Sequence, residues 1–163
     1  MTITELQATI QSLAQKIEAP ATTLPAFSSV DNHPYVEIDG SGQLYFMFKE
    51  RGEEKERKVT SDPDTLLYWV FSSITFSMAL DHSRKNKIKG QDNRRISFKK
   101  QIELLTTLNN AWGATRQTEQ QEILRTNPFD DFAEKRASFT AALREQGIAP
   151  SDAWQQACNK YPL

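Results

Sequence analysis

The 163 residues carry 20 basic and 21 acidic side chains, a formal charge of −1 that lacks the basic excess of a dedicated nucleic-acid binder and the acidic excess of a nucleic-acid mimic. A hydrophobic fraction of 38% is enough for one core, and the length suits a single domain over residues 1–163 that needs neither metal nor disulfide to fold. The one cysteine, Cys158, excludes an intramolecular disulfide and any four-cysteine zinc site.

Near the N-terminus, Ile3, Leu6, Ile10, Leu13 and Ile17 recur at spacings of three and four, which predicts an amphipathic helix from about Thr4 to Glu18 with Thr2 or Thr4 as cap. The first residues have no basic stretch followed by a continuous apolar run, so no signal peptide is expected and the protein is placed in the cytoplasm. Pro20 and Pro25 end the helix. From Tyr35 the pattern becomes strand-like: Tyr35 to Asp39, a turn at Asp39-Gly40-Ser41-Gly42, then Leu44 to Phe48. A second turn at Arg51-Gly52 leads to a third strand, Lys55 to Thr60. Its charge density (Glu53, Glu54, Lys55, Glu56, Arg57, Lys58) suits an edge that resists unwanted pairing.

Asp62-Pro63 starts the most apolar helix, with Leu66, Leu67, Trp69, Val70, Phe71, Ile74, Phe76, Met78 and Leu80 covering most of its circumference. Such a helix belongs at the centre of the fold, with the sheet on one side and later helices on the other. Four serines and threonines within Leu66–Leu80 and its short apolar length argue against a membrane span, which needs about 20 apolar residues. Further helices are expected over Asp92–Asn109, over Thr115–Thr126 with few anchors, over Phe129–Gln146 with Phe132, Phe139 and Leu143 inward, and after Ser151, carrying Trp154, Ala157 and Cys158. The class is α+β: a small three-stranded antiparallel sheet packed on a helical bundle with one central apolar helix.

Equipment for catalysis is sparse. His33 and His82 lie far apart in sequence and in no metal-binding spacing, Cys158 reads as a small buried hydrophobe, and Asp39-Gly40-Ser41-Gly42 is a hairpin turn rather than a phosphate loop. No catalytic residue, metal ligand or cofactor site is assigned, and an enzyme would require a pocket that brings His82 together with acids.

One segment stands out. Arg84, Lys85, Lys87, Lys89, Arg94, Arg95, Lys99 and Lys100 fall within seventeen residues against the single acid Asp92. The first reading is a solvated face paired with the acids of the second and third strands, or with Asp130 and Asp131. A surface for an acidic protein partner is the second. Nucleic acid is the third, because the only aromatic residue available for base stacking, Phe98, falls on the apolar face.

Several blocks, in order, resemble the bacterial immunity protein 63 family of polymorphic toxin systems. They are Pro34-Tyr35-Val36-Glu37-Ile38-Asp39, Glu50-Arg51-Gly52-Glu53, Leu66-Leu67-Tyr68-Trp69-Val70-Phe71 and Thr75-Phe76-Ser77-Met78-Ala79. Gly90-Gln91-Asp92, Arg94-Arg95, Lys100-Gln101-Ile102-Glu103-Leu104-Leu105, Asn127-Pro128-Phe129-Asp130-Asp131 and Ala153-Trp154 through Tyr161-Pro162 follow. The resemblance implies a protein that binds and neutralises a cognate secreted toxin domain, and it supplies no catalytic residues; occlusion of the toxin's active site is the expected mechanism, with no cofactor, no nucleic-acid partner and no membrane expected. The resemblance also suggests structural roles for Trp69, Phe71 and Trp154, and a buried ion pair between Asp92 and Arg95. The surfaces expected to meet the toxin are the charged edge (Glu50, Glu53, Glu54, Glu56) and the basic segment (Arg84, Lys85, Lys87, Lys89, Arg94). The alternative is a small nucleic-acid-associated protein that uses residues 84–100.

Overall fold

The computed structural model describes residues 1–163. Helix α1 (Ile3–Lys16) starts at a capping box in which the Thr2 side chain accepts the Glu5 N–H and the Glu5 carboxylate accepts the Thr2 N–H. Leu6, Ile10, Ala14 and Ile17 form its buried stripe, whereas Ile3, expected on that stripe, is exposed at the open end of the first turn.

Three strands follow: β1 (Tyr35–Ile38), β2 (Leu44–Glu50) and β3 (Glu53–Thr60), paired antiparallel in the order β1-β2-β3. Asp39 Oδ1 organises the first turn by accepting from the N–H groups of Ser41 and Gln43 and from the Ser41 hydroxyl. Together with the Tyr45 hydroxyl on its other oxygen, these bonds hold the carboxyl down at about 2, the Ser41 hydroxyl contributing most. Arg51 and Gly52 form the second turn with φ of 52° and 77°, the left-handed pair that suits the twist of a two-residue hairpin. A residue of the chain before β1 bridges it in parallel, Val36 donating its N–H to the Ala26 carbonyl at 2.9 Å. That leaves β3 as the open edge, as its charge implied.

Helix α2 (Pro63–Lys85) is capped by Asp62, whose carboxylate accepts the N–H groups of Asp64 and Thr65. It occupies the centre. Leu66, Leu67, Val70, Phe71 and Ile74 join Val36, Leu44 and Phe46 of the sheet, Leu6 and Ile10 of α1, and Leu104, Leu105 and Trp112 of the later helices in one core. Helix α3 (Arg94–Leu108) packs on α2, and α4 (Asn110–Thr126) packs on α3. Inside this three-helix layer Gln120 donates to Gln101 Oε1 and Gln101 donates to the Ser72 carbonyl, so the buried amides satisfy one another.

Helix α4 begins five residues before the expected Thr115. Asn109 is its cap, accepting the Ala111 N–H at 2.8 Å, and the added turn buries Trp112 in a stack on Phe71 with centroids 5.9 Å apart. Helices α5 (Ala133–Glu145) and α6 (Pro150–Lys160) pack chiefly on each other. Pro150 at the first helical position starts α6, so Ser151 lies inside the helix rather than capping it. Phe132, expected inward, is exposed at the mouth of α5, and Trp154 is 47% exposed on the outer face of α6. The class is α+β, and no helix is long and apolar enough to cross a membrane.

Candidate interaction surface

On β3 the charged side chains pair with one another rather than with the basic segment. Lys55 meets Glu53 at 2.6 Å, Arg57 meets Glu54 at 2.7 Å and Lys58 meets Glu56 at 2.7 Å. Exposed pairs of this kind add little stability, but they hold an ordered row of both signs along an open strand edge. Glu50 is exposed and has no ion-pair partner, and it stands opposite Glu53 across the turn.

The basic segment is largely tied down. Lys85 pairs with Asp81 one helical turn back at 2.7 Å, and Lys87 reaches Glu134 at 3.3 Å. Arg94 is spent internally: its guanidinium grips Asp92 and donates to the carbonyls of Asn127 and Pro128. Arg95 lies over the Phe129 ring, 4.3 Å from its centroid, and pairs with Asp131 at 3.0 Å. Of the candidate contact cations only Arg84 and Lys89 are exposed without an ion pair.

The expected Asp92–Arg95 pair is therefore replaced by two others, Asp92–Arg94 and Asp131–Arg95. The reason is reciprocal bonding between two loops. Asp92 accepts the Asp130 N–H and gives its own N–H to Asp131, both at 2.8 Å, which puts Arg95 beside Asp131. Burial opposes the charge on Asp92. The Arg94 guanidinium and the N–H groups of Asp130 and Arg94 outweigh it and hold the carboxyl at about 2. Asp130 in turn is bound by Arg136, whose side chain is 2% exposed and also donates to the carbonyls of Tyr161 and Pro162.

His82 lines an open cleft of about 440 Å³ with Asp81, Glu18, Lys85 and Lys100. Neither carboxylate hydrogen-bonds to its ring, whose side-chain neighbour is the Asn86 amide at 3.4 Å. His33 faces the Leu24 carbonyl at 2.7 Å, and Cys158 is half-buried on α6. No group of three or more His, Cys, Asp or Glu side chains is arranged to hold a metal ion.

A second cleft, about 340 Å³, runs between the sheet and the outer side of α2. Trp69, Ser72, Ser73 and Phe76 recur at i, i+3, i+4 and i+7, so two aromatic walls flank a floor of two small side chains on one helix face. Phe46 and Phe48 form the opposite wall. Glu56 and Lys58 follow because strand alternation points them to the side of the sheet that faces α2, where Lys58 lies over both Phe46 and Trp69. Arg116 of α4 closes the end. Its Nη1 meets Glu119 at 3.0 Å, and its buried Nε has no acceptor. Phe76 is 51% exposed at the rim, unusual for an aromatic residue in the middle of the central helix.

The sequence placed Trp69, Phe71 and Glu56 among the residues of interest without assembling this cleft. Phe71 is fully buried in the core, while Trp69 is half-buried at the cleft wall. The available signal was the pair of serines between two aromatic residues on an otherwise apolar helix.

No curated protein and no solved structure matches this chain. The family model described as Immunity protein 63 matches residues 40–122, a stretch that runs from the first sheet turn through β2, β3, α2 and α3 into α4 and holds every residue lining the aromatic cleft except Pro34. With half of its length matched, the chain belongs to the immunity protein 63 family.

Proposed function

We propose that this protein is the cytoplasmic antidote to a secreted toxin: it binds the cognate toxin domain and neutralises it by covering the active site. The observation that carries the reading is family membership over residues 40–122. The architecture suits the task, because an inhibitor needs a stable scaffold and a complementary face and no reactive group. In this reading the chain acts as one domain of residues 1–163, without cofactor, metal, nucleic acid or membrane. Protection of a cell calls for nanomolar affinity or better, about −12 kcal/mol.

The charged residues contribute a polar rim. Glu50, Glu53, Glu54 and Glu56 edge one side, and in the basic segment Arg84 and Lys89 have the freest heads to meet an acidic partner. Lys85, Lys87 and Arg94 could engage only by exchanging the partners they already hold.

The test is co-expression with the C-terminal toxin domain of the large secreted protein encoded beside it, scored by cell survival and co-purification. Survival that depends on this protein, with a stable complex, is the expected result. Cell death despite abundant soluble protein would overturn the pairing.

A further inference from the structure

We propose that the cleft between the sheet and α2 is the centre of the toxin-binding face, and that it takes a protruding toxin segment presenting an apolar side chain next to a carboxylate. The inference rests on the immunity reading above and assigns it a place on the molecule.

Two observations define the occupant. The walls are aromatic: Phe48, Trp69 and Phe76 surround the small floor of Ser72 and Ser73, and half of the Phe76 side chain stands in water. Desolvated aromatic and arginine side chains supply most binding energy at protein interfaces, and here they converge on one hollow. The polar groups define the rest. Lys58 and Arg116 line the cleft with the single acid Glu56; Lys58 meets Glu56, and Arg116 meets Glu119, outside the lining, through Nη1. Arg116 keeps Nε without an acceptor, and the Ser72 hydroxyl, of a residue lining the same cleft, has no partner either. A side chain that fills the hollow and brings a carboxylate to Arg116 would satisfy both needs, with the ion pairs of β3 as a hydrated rim.

A second copy of this chain fits poorly. A two-fold interface must be self-complementary, and this surface is a hollow with an unmet Arg116 donor, so two copies would oppose hollow to hollow with no acceptor for that donor. The cleft is also at the small end of the range for binding cavities, which suits a few projecting side chains better than a whole helix.

The probe is the adjacent toxin domain, inactivated at its own catalytic residue and titrated against purified variants by calorimetry. Phe76→Ala removes an exposed side chain and should leave the thermal midpoint unchanged while weakening binding roughly 30-fold or more. Ser73→Arg fills the floor and should abolish binding, and Arg116→Gln should weaken it at least tenfold. Ile88→Ser, which removes an equally exposed apolar side chain after the end of α2, should bind as the unaltered protein does. Unaltered protein that fails to bind the toxin would remove the immunity reading and the cleft assignment together. Unaltered protein that binds, with folded Phe76→Ala and Arg116→Gln both within threefold of it, would overturn the cleft assignment alone. A concentration-dependent dimer that dissociates on Phe76→Ala, seen by sedimentation, would give the cleft to a second copy and overturn the proposal.

Discussion

Asp92 accepts the backbone N–H of Asp130 at 2.8 Å, joining two loops that lie 38 residues apart in the chain. The bond ties the connection between α2 and α3 to the connection between α4 and α5, and Arg94 and Arg95 brace it from either side. Because the carboxylate is 11% exposed, its charge depends on these partners rather than on water.

That dependence sets a pH response. The Asp92 carboxyl has its pKa lowered from 3.8 to about 2 in the folded protein, so the unfolded chain binds the proton more readily. The contribution is fully present above pH 3.8 and is lost as pH falls toward 2, a loss of roughly 2 kcal/mol from this group. Asp130 and Asp131 are lowered too, first by Arg136 and Arg95 respectively, and add in the same direction. Denaturant titrations from pH 6 to pH 2.5 should show this decline, and Asp92→Asn should flatten it. An undiminished slope in the variant would mean that Asp92 is not the group responsible.

Arg136 holds a different junction. Its guanidinium binds both oxygens of Asp130 and the carbonyls of Tyr161 and Pro162, fixing the chain after α6 against the start of α5. Arg136→Ala should lower the thermal midpoint, because it strands Asp130 and two carbonyls that the guanidinium had satisfied. Helices α5 and α6 pack chiefly on each other, so hydrogen exchange should accelerate there first and spare the α2 amides. Uniform acceleration across the chain would instead show that the hairpin and the main core unfold as one unit.

The basic segment yields a prediction of weak electrostatics. Lys85, Lys87, Arg94 and Arg95 each have a carboxylate within 3.3 Å, which leaves Arg84, Lys89, Lys99 and Lys100 to present charge. The protein should flow through heparin at physiological salt, and any retention at low salt should be removed by Arg84→Glu with Lys89→Glu. Retention at moderate salt would favour the nucleic-acid alternative, whose affinity falls steeply with salt.

Sequence periodicity conveyed the larger elements because each had one dominant requirement. The stripe of α1 apart from Ile3, the turns at Gly42 and Gly52, the Asp62-Pro63 start of α2 and the charged edge of β3 are all local features, and all lie where spacing and residue type placed them. What stayed hidden was pairing across the fold. Asp92, Arg94, Arg95, Asp130 and Asp131 were all visible, but which arginine met which acid depended on two backbone N–H bonds between loops. Likewise, Trp112 lies between the two helices that spacing predicts, and it is the Asn109 cap that gives α4 the added first turn carrying it. The cleft was least legible, since Phe48, Phe76 and Arg116 come from three elements whose separation no local pattern encodes.

Gly113 links stability to the proposed binding face. It lies in the first turns of α4, where a Cβ would come within 3.0 Å of Thr106 Cβ and 3.1 Å of Thr106 Cα on α3, and closer still to the Thr106 hydroxyl. Two effects oppose each other in Gly113→Ala. Helix propensity favours alanine by about 1 kcal/mol, whereas forcing a methyl group into a packed contact costs about 1–3 kcal/mol. The hydroxyl can rotate away but the Thr106 backbone cannot, so the steric cost should win and the thermal midpoint should fall by several degrees. Thr106→Ala in the same chain removes the nearest atom and should recover part of the loss, giving a positive coupling in the double-mutant cycle. Because Arg116 sits one turn further along α4, moving that helix off α3 should also carry the guanidinium away from the cleft and weaken toxin binding. A Gly113→Ala variant that is more stable than the parent would mean that the contact between α3 and α4 yields to a methyl group at little cost, and toxin binding should then be unchanged.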